Sequence, residues 1–386
     1  MNSTDVPRLS LRSPGDLIAA VPYLLGFHPA DSVVVVAMHG KRVTFAARSD
    51  LPAPAGPAGG RTEPSRPAGE PVRHVAEPSR SVDGAVGHVT GPSRSADEAA
   101  RHLAAVVARQ VADRATVLGY GSASRVTPAV DAVRAALADA GIPVLDALRV
   151  TDGRYWSYLC DEPECCPPDG TPYDTGSSEV TAAAVFAGQV ALPDRAALAA
   201  QVAPVDGPER VALRQATERA GRRLADLLDS APGADVLGGR TVRAAGRAAI
   251  RVAGRRHRNG ERLDDDEVAW LSVLLTDVAV RDHAWERTDG RDADIALWTD
   301  VLRRAEPEFI AAPGSLLTFA AWRAGHGSLA AVALERVLTL HPGYSLALLL
   351  DDLLRRGVPP AHLDGWPAVR LPGVVRRRKR GRRGPR

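Results

Sequence analysis

The stretch Ser32-Val33-Val34-Val35-Val36-Ala37 (SVVVVA, residues 32–37) contains four consecutive valines. β-branched side chains favour extended backbone, and a short apolar run of this kind predicts a buried strand. Gly40-Lys41 follows it as a turn signal, so a second strand is predicted over residues 42–47. We expect this pair of strands to belong to the core of the protein.

A helix is predicted immediately before this strand pair. Ser13 is a residue type that caps helices, with Pro14 at the first helical position and Asp16 three residues after the cap. We expect the helix to break or kink at Pro22, because proline has no amide hydrogen to donate within a helix.

Strand patterns and helix patterns then alternate along the chain. A capping box at Ser95 opens a helix, and strands are predicted over residues 115–118, 142–145 and 154–158. Thr127-Pro128 is predicted to start the helix between the first two of these strands. This alternation predicts an α/β fold with a parallel or mixed β-sheet and flanking helices.

From about Asp194 onwards the apolar spacing is helical. Residues 315–357 are predicted to form three successive helices, interrupted at residues 325–327 and 342–343. Short turns between apolar helices are typical of antiparallel hairpins. The sequence therefore predicts a C-terminal region that is entirely helical.

These patterns divide the chain into an α/β domain over residues 1–190 and a helical domain over residues 194–370. Residues 52–95 are rich in Pro, Gly, Ala, Ser and Arg. Three copies of a related 14-residue segment start at residues 63, 77 and 91, and the third continues into the predicted helix. Such a composition cannot bury a core, so a disordered repeat insertion is predicted there.

The C-terminal residues 371–386 are predicted to be a disordered basic tail. Eight of the 49 basic residues lie in its last part, RRRKRGRRGPR, which leaves 41 basic against 46 acidic residues, or a net charge of −5, for the rest of the chain. Clustered positive charge binds phosphate backbones without reading sequence, so we expect weak, non-specific nucleic-acid binding by this tail.

The overall composition is that of an ordinary soluble protein, with 45% apolar and 25% charged residues among 386. Three cysteines do not make a disulfide framework, which favours a reducing, cytoplasmic location. No apolar run approaches the roughly 18 residues that a membrane-spanning helix needs. Arginine is abundant throughout, so only its clustering carries information about binding.

Three stretches resemble a known family: LRSPGDLIAAVPYLLGFHPADSVVVV, YWSYLCDEPECCPPDGTPYDTGSSEVTAAAVFAG and AAWRAGHGSLAAVALERVLTLHPGYSLALLLDDLLRRG. They are similar to domain-of-unknown-function family 4192, which the resemblance places in actinobacteria. The similarity covers nearly the whole chain except the insertion and the tail. The family brings no established activity, so the resemblance implies no catalytic residues.

All three cysteines of the chain, Cys160, Cys165 and Cys166, lie in the segment YLCDEPECCPPDGTPYD. Zinc is a candidate ligand, but a structural zinc site takes four ligands and this segment supplies three sulfurs. Adjacent cysteines on extended backbone also point their sulfurs in different directions. We therefore expect small thiols packed in a turn and no cofactor, with zinc as the alternative.

The loop LGYGSASRVTP places glycines between a strand and a helix, where backbone amides can bind an anion. The candidate anion-binding residues are Gly119, Gly121, Ser122, Ser124 and Arg125. The full dinucleotide fingerprint and the P-loop Gly-Lys-Ser/Thr are both missing from this loop.

The segment GFHPADS contains the residue types of a hydrolase: His28, Asp31 and Ser32 are the candidate catalytic residues. No nucleophile-elbow motif accompanies them, and His-Pro before an Asp-Ser pair is equally typical of a turn.

Two functions are consistent with these patterns. The first, which we expect, is a non-enzymatic binding or regulatory module that uses its helical C-terminal region to bind a protein partner. The alternative is a phosphate-ligand-binding protein or a hydrolase-type enzyme, with its site at the Gly119–Arg125 loop and the His28 region.

Overall fold

A computed structural model describes residues 13–40, 42–52, 95–176 and 178–363. The predicted repeat insertion and basic tail therefore lie outside the described residues, apart from the ends of the insertion. Thirteen α-helices are present in the described ranges: α1 Pro14–Leu25, α2 Ala96–Val107, α3 Ala123–Asp139, α4 Glu179–Phe186, α5 Arg195–Ala200, α6 Gly207–Asp229, α7 Gly239–Arg258, α8 Asp265–Leu274, α9 Val278–Trp285, α10 Asp292–Arg304, α11 Ala311–Arg323, α12 Gly327–Leu340 and α13 Ser345–Arg355.

The strands form one six-stranded sheet with the order β2-β1-β3-β4-β5-β6. Their bounds are β1 Ser32–His39, β2 Arg42–Asp50, β3 Arg114–Tyr120, β4 Val144–Thr151, β5 Arg154–Ser157 and β6 Thr171–Pro172. Only β3 and β4 run parallel among these strands, joined by α3, and every other pair is antiparallel. The prediction of an α/β fold with a mixed sheet is confirmed.

Strand β1 is buried on both faces of the sheet. Val33 and Val35 belong to a hydrophobic cluster with α2 and α3 on one face. Val34 and Val36 belong to a second cluster on the other face, which contains α1 and most of the helical region. Because side chains alternate along a strand, one run of four valines contributes to both cores.

Helix α1 begins as predicted and ends later than predicted. The Ser13 Oγ accepts a hydrogen bond from the Asp16 amide at 3.1 Å, and the Asp16 carboxylate accepts one from the Ser13 amide at 3.0 Å. The predicted break at Pro22 is wrong, since the helix continues to Leu25 and ends at Gly26, whose φ is 82°. Pro22 removes one helical hydrogen bond, but the buried apolar face on both sides of it keeps the helix continuous.

Helix α3 starts earlier than predicted, at Ala123 rather than at Thr127-Pro128. The physical reason is packing, because Val126 and Val130 in its first two turns lie against Gly119 of β3. A Cβ atom added at Gly119 would lie 2.9 Å from Val130 Cγ2 and even closer to Val126. The helix must therefore follow the strand almost immediately, with Pro128 inside it.

The C-terminal region is helical, and the predicted three helices over residues 315–357 are confirmed as parts of α11, α12 and α13. Helix α11 is buried along its whole length from Ala311 to Trp322. The predicted domain boundary near residue 190 falls between α4 and α5. The hydrophobic cluster that contains Val34 crosses it and includes Leu198, Leu213 and Leu316.

None of the helices in the described ranges combines the length and the apolarity that crossing a membrane requires.

Packing of α3 against β3 makes a testable prediction about two glycines. Gly119→Ala should lower the free energy of unfolding by about 2–3 kcal/mol, because the added methyl group overpacks the interface with Val126. Gly221→Ala on α6, where an added Cβ meets nothing within 4 Å, should instead stabilise the protein by about 0.5–1 kcal/mol. Urea denaturation measures both changes.

A double variant checks the contact itself. Val126→Ala removes the methyl groups that the new Cβ would meet, so Gly119→Ala should cost less in that background than in the wild type. Equal costs in the two backgrounds would contradict the proposed contact between Gly119 and Val126.

The start of α7 depends on one carboxylate. Asp235 accepts hydrogen bonds from the amides of Arg240 at 2.9 Å and Thr241 at 2.8 Å, and from the Thr241 hydroxyl at 2.7 Å. These bonds, led by the one from the Arg240 amide, lower the pKa of Asp235 to about 2. The charged carboxylate thus satisfies amides that the first turn of a helix leaves unpaired.

A lowered pKa in the folded state predicts a specific dependence of stability on pH. The unfolded chain has an Asp pKa of about 3.9, so the contribution of Asp235 is complete above that pH and is lost as pH falls towards 2. The difference in unfolding free energy between wild type and Asp235→Asn should therefore narrow between pH 5 and pH 3 in urea titrations. A difference that stays constant over this range would contradict the assignment.

Candidate functional sites

The two clusters of site residues predicted at residues 28–32 and 119–125 meet at one end of the sheet. Ser32 in β1 pairs with Tyr120 in β3. The Asp31 carboxylate forms an ion pair with the Arg125 guanidinium, which also donates a hydrogen bond to the Pro52 carbonyl at 3.2 Å. The structure therefore brings together residues that are 94 positions apart in the chain.

This ion pair changes the interpretation of the predicted anion site. The positive charge of Arg125 is offset by Asp31, so an anion would have to compete with a carboxylate already in place. Ser122 does not cap α3 with its side chain, and its hydroxyl lies 3.4 Å from the Ser124 hydroxyl. A Cβ added at Gly121, whose φ is 135°, would lie 3.4 Å from Asp31 Oδ1, which places that carboxylate directly over the loop.

The predicted catalytic residues are neighbours but do not form a triad. Ser32 is completely buried, and its Oγ has no hydrogen-bond partner within the described parts of the chain. His28 is exposed, and its amide donates a hydrogen bond to the Leu192 carbonyl at 2.9 Å. The serine thus lacks the hydrogen bond to a base that activates a nucleophile.

The structure corrects the prediction that the sulfurs of the adjacent cysteines diverge. The Sγ atoms of Cys160, Cys165 and Cys166 all lie within 4.8 Å of one another. The backbone is not extended there, because the amides of Cys165 and Cys166 both donate hydrogen bonds to the Glu162 carbonyl, at 3.0 and 2.7 Å. This turn folds the adjacent pair back towards Cys160.

A second turn anchors the cysteine loop to the sheet. The Trp156 indole donates a hydrogen bond to the Pro168 carbonyl at 2.9 Å, and Arg154 donates to the Gly170 carbonyl at 2.8 Å. Gly170 has a φ of 79° and lies so close to the indole that an added Cβ would be 2.5 Å from it. The guanidinium of Arg149 also packs over the Trp156 ring, 3.6 Å from its centroid.

The pKa values of the Cys160 and Cys166 thiols are shifted in opposite directions. The hydrogen bond from Cys166, together with one from the Glu162 backbone, lowers the pKa of Cys160. The same bond to Cys160, followed by burial, raises the pKa of Cys166 to about 12. Hydrogen bonds to a sulfur stabilise its thiolate form, so Cys160 is the first of the pair to deprotonate.

A third site, which the sequence did not predict, is a groove of about 710 Å³ between α5, the start of α6 and α12. Its walls combine small apolar side chains with charged ones, and the lining residues are Arg195, Ala199, Val202, Ala203, Pro204, Val205, Asp206, Gly207, Arg210, Val211, Pro307, Val332, Glu335, Arg336, Thr339 and Leu340. The N-terminus of α6 opens into this groove, and the Asp206 side chain does not cap it.

The arginines of this groove differ in their partners. Arg195 pairs with Glu335 at 2.6 Å, and Arg210 pairs with Glu306 at 3.0 Å. Arg336 donates only to the backbone carbonyl of Val202, and no carboxylate of the described chain forms an ion pair with it. The groove thus contains one guanidinium whose charge is not offset by a neighbouring acid.

Electrostatics marks Arg336 in the same way. Burial, followed by the positive charges of Arg210 and Arg303, lowers its pKa to about 10. Arg303 itself donates to the Ala203 carbonyl at 3.3 Å and has no carboxylate partner in the described ranges. Burial and like charges both disfavour the protonated form, so the site would be stabilised by an anion.

The sequence did not indicate this groove because its members are far apart in the chain. Arg195, Arg210 and Arg336 come from three helices and carry no common motif. Arginine is also abundant in the chain, so no single one of them stands out. The lack of an acidic neighbour for Arg336 becomes apparent only once the helices are packed.

A family model described as "Domain of unknown function (DUF4192)" matches residues 14–361. No curated protein and no solved structure matches this chain. Since the family model covers most of the sequence, the chain belongs to the DUF4192 family, as the three similar stretches predicted.

Proposed function

We propose that this protein is a non-enzymatic binding module, and that the groove between α5, α6 and α12 binds an anionic ligand with an apolar part. The ligand class is an organic phosphate or carboxylate that carries a hydrocarbon group. The groove lies in the helical region, where the sequence patterns also predict binding.

The observation that carries the proposal is Arg336. A partly buried guanidinium without a carboxylate partner, and with two like charges nearby, loses hydration without regaining electrostatic stabilisation. Phosphate and carboxylate oxygens match its donor geometry. The uncapped start of α6 lies in the same groove and presents the positive end of a helix dipole.

The apolar lining supports the second half of the ligand description. Val211 on α6 lines the groove and keeps 55% of its surface exposed. Leu340 keeps 51% of its surface exposed at the rim. A hydrocarbon group in this groove would remove such surfaces from water, with a gain of roughly 25 cal/mol per Å² buried.

The end of the sheet has weaker support as a ligand site. Arg125 is already paired with Asp31, and no base within the described ranges forms a hydrogen bond with the Ser32 hydroxyl. An anion binding there would have to break an existing ion pair, whereas one binding at Arg336 would not.

The proposal predicts the ranking of three probes in isothermal titration calorimetry. Octyl phosphate should bind more tightly than inorganic phosphate, which lacks the chain, and than octanol, which lacks the charge. Arg336→Gln should weaken octyl phosphate binding by at least about tenfold, since hydrogen bonds to charged groups contribute about 1.5–3 kcal/mol.

Arg222→Gln is the matched control. Arg222 is exposed on the same helix as Arg210 but lies about three turns further along α6 and outside the groove. This variant should bind octyl phosphate like the wild type. If Arg336→Gln and Arg222→Gln weakened octyl phosphate binding equally, the effect would come from net charge and not from the groove. Equal affinities for octanol and octyl phosphate would contradict an anion site.

A further inference from the structure

The three sulfurs converge at the surface and not in a core. Cys165 is exposed, and Cys160 and Cys166 are only partly buried. None of the three belongs to the hydrophobic clusters of the described chain. Thiols that served only as small apolar packing groups would be expected in the interior, where free cysteines are usually found. Packing therefore does not account for their convergence.

The distances between the sulfurs are close to those of a metal-thiolate site. A zinc–sulfur bond is about 2.3 Å long, so two sulfurs of a tetrahedral site lie about 3.8 Å apart. The three Sγ atoms lie within 4.8 Å of one another. Each pair therefore needs to close by no more than about 1 Å, which small side-chain rotations can supply.

The loop holds this arrangement without help from a ligand. One turn at Glu162 positions the adjacent cysteines, and a second turn at Gly170 is fixed against Trp156 by hydrogen bonds and packing. Backbone that is already ordered loses little conformational entropy when an ion binds, and this favours affinity.

We propose that Cys160, Cys165 and Cys166 bind one zinc ion through three thiolates, with water in the fourth position. No histidine or carboxylate of the described ranges joins the three sulfurs, so these ranges leave the fourth position to water. The exposed side of Cys165 gives solvent access to it. This site is separate from the groove and does not depend on the ligand proposed there.

The charge of the loop favours zinc over a monovalent thiophilic ion. Three thiolates lie in a segment that also carries Asp161, Glu162 and Glu164. A divalent ion offsets more of this negative charge than Cu⁺ does, and thiolate sulfur is a preferred ligand of both. The hard ions Mg²⁺ and Ca²⁺ prefer oxygen ligands and would not select the sulfurs.

Binding in this form has a defined proton balance. Free thiols have a pKa of about 8.5 and are mostly protonated at neutral pH, so the formation of three zinc–sulfur bonds releases up to about three protons to the buffer. The observed binding enthalpy should therefore vary with the ionisation enthalpy of the buffer. The slope of that dependence counts the protons released.

The test uses the full-length protein, purified under reducing conditions, freed of metal and titrated with ZnSO₄ in two buffers of different ionisation enthalpy. We expect about one zinc to bind per chain and about two to three protons to be released from the thiols as zinc–sulfur bonds form. Bound zinc should also protect all three cysteines from alkylation. Substitution with Co²⁺ should give the near-ultraviolet absorption of cobalt–thiolate bonds.

Cys165→Ser and Asp161→Asn make a matched pair in this loop. Cys165 is exposed, so its replacement should leave the fold intact. It should weaken zinc binding at least about 100-fold, because losing a residue that only hydrogen-bonds to a metal ligand already costs about 10–100-fold in affinity. Asp161 does not join the sulfur cluster, and its variant should bind zinc within a few-fold of wild type.

Two outcomes would overturn the proposal. One is a reduced protein in which all three thiols react with the alkylating agent equally fast with and without zinc. The other is zinc binding that Cys165→Ser leaves unchanged, which would place the ion elsewhere. Circular dichroism of both variants confirms that a loss of binding is not a loss of fold.

Discussion

Burial of the valine run in β1 on both faces of the sheet is the constraint on which the rest of the structure depends. Val33 to Val36 are at most 3% exposed. Each face must therefore be covered completely, by α2 and α3 on one side and by α1 and the helical region on the other. The helical region is thus part of the core of the sheet, because Val34 needs a partner layer there.

The candidate sites lie where this layered core ends. The cysteine loop follows β5, next to the edge strand of the sheet. The groove lies between α5, α6 and α12 in the helical region. Both use a rigid support: Trp156 and β5 hold the loop, and α12 holds Arg336. Sites that are supported in this way keep their geometry without a ligand, so their chemistry can be inferred from the unliganded chain.

The sequence predicted what local patterns determine. The valine run, the cap at Ser13 and the strand–helix alternation follow from side-chain shape and hydrogen bonding, and they predicted the mixed sheet and the helical region correctly. The prolines were misleading because Pro22 and Pro128 lie in helices that tertiary packing maintains despite one missing hydrogen bond each.

The sites depend on contacts that no local pattern contains. A bend at Glu162 decides whether adjacent cysteines converge, and the sequence alone favoured divergence. The pairing of Asp31 with Arg125 needs the register of β1 against β3, and the isolation of Arg336 needs the packing of α12 against α5. The sequence therefore identified the candidate residues at the end of the sheet and in the cysteine loop, but it did not predict which residues they contact.

Hydrogen exchange of backbone amides as a function of denaturant tests most directly whether the sheet and the helical region share one core. With rising urea, the amides of Val34 in β1 and Leu316 in α11 should converge on the same free energy of exchange, because neither core layer persists without the other. If α11 stayed protected at concentrations that release β1, or exchanged well before it, the two regions would be independent and this account would be contradicted.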